Sequence, residues 1–118
     1  MKLIIAGSRG VHLNEQTLTN LVATLPSSQE IAEIVSGGAP GIDSLAIKCF
    51  TNSKYKLTVM NANWDLYGKV AGFIRNKQMA DYADALLAIW DGSSPGTKHM
   101  INTAQENGLK IKVIEVEL

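Results

Sequence analysis

A chain of 118 residues, 46% hydrophobic and 19% charged, is long enough to bury one core without disulfides or metals. Eleven basic and eleven acidic side chains cancel, which argues against nucleic acid or an anionic membrane as a partner. The single cysteine, Cys49, excludes an internal disulfide and points to a reducing compartment.

The first apolar run, Leu3-Ile4-Ile5-Ala6, ends at Gly7 and predicts a buried strand. It stops too early for the apolar stretch of about 7–15 residues in a secretory signal. No run reaches the ~20 residues of a membrane helix, so a cytoplasmic protein is expected. Leu18, Leu21, Val22 and Leu25 fall at i, i+3, i+4 and i+7, the spacing of an amphipathic helix, ended by Pro26. Ile31 to Val35 reads as a second strand. Ile42, Leu45, Ala46 and Cys49 repeat the helical spacing, and Leu57 to Met60 reads as a third strand.

Gly68 to Tyr82 has the length and composition of a third helix. Ala85 to Trp90, apolar throughout, predicts a fourth strand. Thr97, Met100, Ile101 and Ala104 form the face of a fourth helix, closed by Asn107-Gly108. Ile111, Val113, Ile114 and Val116 supply a fifth strand. Strands and helices thus alternate from end to end. The expectation is one α/β domain over residues 1–118, a Rossmann-like three-layer sandwich around a five-stranded parallel sheet. Right-handed crossovers favour the strand order 3-2-1-4-5.

In such a sheet ligands bind beyond the carboxyl ends of the strands, where the strand order reverses. Three glycine-rich loops fall on that edge: Gly7-Ser8-Arg9-Gly10, Ser36-Gly37-Gly38-Ala39-Pro40-Gly41 and Asp91 through Gly96-Thr97. The opposite-edge turn Pro26-Ser27-Ser28-Gln29 lacks the pattern. The second loop is not a dinucleotide fingerprint, since Ser36 stands where its first glycine belongs. It is no Walker loop either, since no lysine follows Gly41.

Gly96-Thr97 opens a helix whose free N–H groups favour a phosphate. Ser94 and Thr97 add hydroxyls, for ligand or for capping. Asp43, in a first helical turn, is either an acid suited to the helix dipole or an acceptor for ribose hydroxyls. Gly68, Gly72, Arg75 and Met79 share one helical face, with Asn76 beside Arg75 as a paired donor and acceptor. Trp64 or Tyr67 can stack on a base. His12 and His99 have no ligand at metal spacing, so no metal site and no cofactor are expected.

These residues together resemble the SLOG superfamily, and within it the small YspA-related group. The matching pieces are Gly7-Ser8-Arg9, Ser36-Gly37-Gly38-Ala39 with Gly41 and Asp43, and Gly68-Lys69-Val70-Ala71-Gly72. Arg75-Asn76-Lys77-Gln78-Met79, Asp84, Trp90, Ser94-Pro95-Gly96-Thr97 and Ala104 follow in family order. The resemblance implies a Rossmann-like protein that binds a nucleotide, an ADP-ribose-like molecule or a cyclic signal nucleotide. It implies a sensor or sequestering role in conflict between phages and bacteria, and a homodimer or larger homo-oligomer.

Relatives similar to the LOG phosphoribohydrolases cleave the N-glycosidic bond of nucleotides. Their helix carries Arg-Lys before Met, and their loop a glutamate shortly after Gly-Thr. Here Asn76 stands in place of the lysine, and Lys98, His99 and Met100 follow Thr97. An oxocarbenium-like transition state wants a nearby carboxylate. Asp43 and Asp91 are the candidates to replace it. The departure favours binding without cleavage, with N-glycosidic hydrolysis as the alternative.

Overall fold

In the computed structural model, which describes residues 1–117, the five strands are β1 (Lys2–Gly7), β2 (Glu33–Ser36), β3 (Lys56–Val59), β4 (Ala85–Trp90) and β5 (Lys110–Glu115). Leu118, the last residue of the expected domain, lies outside the described residues. All neighbours pair in parallel, in the order β3-β2-β1-β4-β5. Five α-helices connect them: α1 (Glu15–Ala23), α2 (Ile42–Phe50), α3 (Trp64–Tyr67), α4 (Ala71–Tyr82) and α5 (Pro95–Glu106).

Side chains alternate across each strand, and this sorts the core into two layers. Leu3, Ile5, Ile34, Leu87 and Ile89 face one side, where Leu18 and Val22 of α1 and Ile42, Ala46 and Phe50 of α2 cover them. Ile4, Ala6, Val35, Leu86 and Ala88 face the other, under Met79 and Ala80 of α4 and Met100 and Ala104 of α5. This two-sided burial explains why β1 and β4 read as continuous apolar runs. The edge strand β5 is different: Lys110, Lys112 and Glu115 are exposed, which blunts its open edge.

At the other end of the sheet from the loops, Glu33 is a buried acid in β2. Burial alone raises its carboxyl, but hydrogen bonds from Tyr82 Oη and from Thr58 Oγ1 (2.8 Å) outweigh that and hold it low. Lys56 adds an ion pair at 3.8 Å.

The helix expected over Gly68 to Tyr82 is divided. α3 ends at Gly68, whose φ of +57° lies in the left-handed region, and a 3₁₀ turn over Gly68–Val70 leads into α4. Gly72, Arg75 and Met79 therefore share one helix, and Gly68 does not belong to it. Helix α1 stops at Ala23, before Leu25, because Thr24 closes its last turn.

Gly7 sits where β1 leaves the sheet, and its position is crowded. A Cβ there would lie 2.6 Å from Ile42 Cγ1 and 2.7 Å from the Ile89 carbonyl oxygen. Neither neighbour can retreat: one is a fully buried side chain in α2, the other is backbone of β4. Gly7→Ala is expected to destabilise the protein by about 1–3 kcal/mol in urea unfolding, the range for overpacked positions. An unchanged unfolding midpoint would show that α2 can move away from the strand.

Candidate functional site

At the carboxyl ends of β1 and β4 the loops enclose a cleft of about 390 Å³. Ala6 and Gly7 of the first strand and Met79 and Met100 of the two covering helices form its base. Ser94 through Thr97, at the start of α5, form one wall, and Trp64, Phe73, Arg75 and Asn76 form another. A second cavity of about 230 Å³ lies beside it, between the loops that follow β2 and β3. Arg9, Ala39, Trp64 and Arg75 line both spaces.

Arg75 is held rather than free. Its Nη1 donates to the Gly37 carbonyl and its Nε donates to Asn76 Oδ1 at 3.2 Å. The guanidinium can reach that carbonyl only because residue 37 has no side chain. A Cβ there would stand 2.6 Å from Nη1 and 2.9 Å from Asp43 Oδ2. Asn76 continues the chain: its Nδ2 donates to the Gly96 carbonyl at 3.3 Å and meets His99 Nδ1 at 3.1 Å. The arginine can only donate and the Gly96 carbonyl can only accept, so the amide has one orientation. His99 Nδ1 is then the unprotonated acceptor. Burial pushes the His99 imidazole toward that neutral form. Phe73 stacks on His99 at 4.2 Å, which ties α4 to α5 again. One hydrogen-bonded chain thus spans the cleft from the β2 loop to the start of α5.

Asp43 faces this cleft from the first turn of α2 and is 5% exposed. Burial pushes its carboxyl up to about 6, against the opposing pull of Arg75, of the Ala39 N–H and of Arg9. The Ala39 N–H donates to Oδ2 at 3.3 Å. Ser36 is fully buried just behind, where its Oγ donates to the Asp43 carbonyl (2.9 Å) and accepts from Gly38 N–H (3.2 Å).

Asp91 is occupied by its own loop. Its carboxylate accepts from the N–H groups of Ser93 and Ser94 at 2.9 and 2.7 Å and from Ser94 Oγ at 2.6 Å. These bonds hold it far below the usual carboxylate range. Ser8 Oγ accepts from the Asp91 N–H at 3.1 Å, which pins the β1 and β4 loops together. With Ser94 Oγ committed to Asp91, no side chain caps α5. The N–H groups of Gly96 and Thr97 have no partner among the described residues, and both residues line the cleft.

The structure therefore brings together most residues singled out from sequence. Gly7, Ser8, Arg9, Asp43, Trp64, Arg75, Asn76, Ser94, Gly96 and Thr97 line the main cleft. Gly37 and Gly38 line the second cavity. Ser36 and Asp91 line neither, and brace the loops instead. Tyr67 lines neither cavity, while Trp64 lines both. Sequence reasoning passed over Lys69, Phe73 and Asn61. An exposed aromatic directly after a helix glycine was the available signal for Phe73. Lys69 and Asn61 gave none, because each depends on how its loop folds back. Among the described residues no group of His, Cys, Asp and Glu is placed to hold a metal ion.

The raised Asp43 has a thermodynamic consequence. Its ordinary value in an unfolded chain is about 3.9, so the folded protein holds the proton more tightly. The stability this provides is complete below about pH 4 and is lost as pH rises through about 6. Relative to Asp43→Asn, the native protein should lose about 2–3 kcal/mol between pH 4 and pH 8. Urea unfolding of both proteins across that range measures it. A difference that does not vary with pH would mean that the ionised carboxylate carries no penalty.

No protein-family model matches the chain. The chain is similar to the Gene 61 protein of Mycobacterium phage D29, at 32% identity over 117 residues, with 93% of each chain covered. At that identity over nearly the whole length, this protein belongs to the family of the phage D29 Gene 61 protein.

Proposed function

We propose that this protein is a SLOG-superfamily member of the small YspA-related kind, which binds a nucleotide-derived ligand and retains it as a sensor or sequestering protein. The observation that carries the reading is a pair of arginines in one cleft, neither of them in an ion pair. All ion pairs among the described residues are made by lysines: Lys48 with Glu15, Lys56 with Glu33 and Lys77 with Asp81. Arg9 and Arg75 have no such partner, and both line the cleft beside the open N–H groups of α5. Guanidinium groups and a helix N-terminus together suit a phosphate.

The remaining chemistry agrees with a nucleotide. Exposed Trp64 and the open face of Phe73 offer surfaces for a base, and Asp43 offers a carboxyl for ribose hydroxyls. Among the described residues no helix is long and apolar enough to cross a membrane. The exposed apolar side chains of Leu66, Tyr67 and Val70 provide a face for a second copy of the chain. The phage source of the Gene 61 protein fits a role in conflict between phage and bacterium.

One observation supports a second reading, N-glycosidic hydrolysis. Asp43 is the carboxyl among the cleft's lining residues, and burial pushes it up to about 6. Such a group can take or give a proton. Binding without turnover is still the stronger reading, because the position after Gly96-Thr97 carries Lys98 and His99 rather than an acid.

Incubation with AMP, ADP-ribose and cyclic ADP-ribose isomers, followed by chromatography, separates the two. Stoichiometric depletion of ligand that is recovered intact on heating is the expected outcome. Release of free base over many turnovers, abolished by Asp43→Asn, would establish the enzyme instead. Arg75→Ala should weaken binding at least 10-fold, since charge-assisted hydrogen bonds are worth about 1.5–3 kcal/mol. Gly37→Ala should act in the same direction, because its Cβ would lie 2.6 Å from Arg75 Nη1 and force the guanidinium off the Gly37 carbonyl. Gly96→Val places its side chain in open space at the start of α5 and should block the approach of an anion there. Calorimetry with the retained ligand measures all three. Unchanged affinity in all of them would reject this cleft as the binding site.

A further inference from the structure

The geometry points to a ligand of two sugar-containing units joined by a diphosphate, with the diphosphate on Arg9 and Arg75 and one unit in each cavity. This inference rests on the nucleotide reading above and names the class of ligand. The two cavities, about 390 and 230 Å³, meet along Arg9, Ala39, Trp64 and Arg75. Arg9 is exposed and Trp64 is 53% exposed, so the shared wall is a rim that a ligand can cross.

The charge on that rim suits two phosphates rather than one. Arg75 spends two of its five N–H groups on Gly37 and Asn76. Its Nη2 has no protein partner among the described residues and is not sealed from solvent. Arg9 makes no side-chain hydrogen bond there and no ion pair. Two cations with open donors therefore stand side by side. One carboxyl, Asp43, stands near them; burial pushes it up to about 6, and at neutral pH its single charge offsets only part of the two.

The second cavity has the chemistry of a sugar or base pocket. Asn61 lines it, and its amide has no partner among the described residues, so a donor and an acceptor are both available. The backbone of Gly37 and Gly38 forms one side, and Pro40 and Ala62 add apolar surface. No carboxylate lines this space. Gly38, at φ +72°, keeps the β2 loop against Asn61: a Cβ there would lie 2.2 Å from Asn61 Oδ1. The pocket thus depends on a close approach of two loops, at the ends of neighbouring strands. In open parallel sheets a ligand that crosses strand ends in this way extends along the edge of the sheet.

Titration calorimetry with AMP and with ADP-ribose tests the inference on the native protein and on two variants. ADP-ribose should bind at least 10-fold more tightly than AMP. Ala62→Trp, which fills the second cavity from a half-exposed loop position, should bring the ratio of the two affinities to within about 3-fold of one. Asn61→Ala removes only the amide and should reduce the same ratio, so a folding defect in the first variant does not end the test. Equal affinities for AMP and ADP-ribose in the native protein would overturn the two-unit ligand and leave the nucleotide reading standing. A preference for ADP-ribose that survives in both variants would overturn the placement in the second cavity. Failure of both ligands to bind would overturn the nucleotide reading, and this inference with it.

Discussion

The cleft depends on one contact, the Arg75 guanidinium against the Gly37 carbonyl. It joins the third layer of the fold to the loop after β2, across the end of the sheet. Its partner bond to Asn76 carries the connection on to Gly96 and His99 of α5. An arginine is a long, rotamer-rich side chain, and ordering it costs up to about 2 kcal/mol of conformational entropy. Two hydrogen bonds with set directions offset that cost and leave Nη2 without a protein partner among the described residues. A ligand that meets these donors need not order the side chain itself, and this is what preorganisation contributes to affinity.

The two buried acids show where the molecule keeps its stability and where it gives some up. Glu33 and Asp43 are both nearly inaccessible, at 6% and 5% exposure. Glu33 sits at the amino end of β2 with Tyr82, Thr58 and Lys56 around it, and its carboxylate is stabilised. Asp43 sits at the carboxyl end with one hydrogen bond at 3.3 Å and two cations nearby, and burial dominates. Two arginines without ion pairs and a carboxyl raised by burial are concentrated at one end of the sheet, which is the pattern of a site that a ligand completes.

The sheet was legible because its physics is short-range. β1 and β4 are buried on both faces, so their sequences are unbroken apolar runs, and right-handed crossovers then restrict the order of strands. The broken helix was not legible in the same way. Helical composition over Gly68 to Tyr82 says nothing about the φ of +57° at Gly68, which is set by how α3 docks before α4. The site divided along the same line. Loops on the correct edge could be found from topology, and with them Arg9, Asp43 and Gly96, while Arg75 came from the face it shares with Gly72 and Met79. Whether a polar residue in those loops faces the cleft or braces the loop depends on tertiary contacts. Ser36 and Asp91 turned inward to hydrogen-bond the backbone, and Asn61 arrived from a loop with no glycine signal at all.

The contrast between Asp43 and Asp91 bears on turnover. A general base must bind a proton near the working pH, and Asp91 is held too acidic to do so by the donors that shape its loop. Asp43 has a suitable proton affinity, but it stands beside Arg75 and Arg9, the groups proposed to hold phosphate. A bound anion at those arginines neutralises the charges that favour the Asp43 carboxylate. Ligand binding would then drive the carboxyl further toward its protonated form. A carboxyl that becomes neutral on binding can donate a hydrogen bond to a ribose hydroxyl or phosphate oxygen, and it loses the charge that would stabilise an oxocarbenium ion. In that state Asp43 could serve cleavage only as a general acid, and the ionised carboxylate that an oxocarbenium ion needs would be missing from the cleft's lining residues.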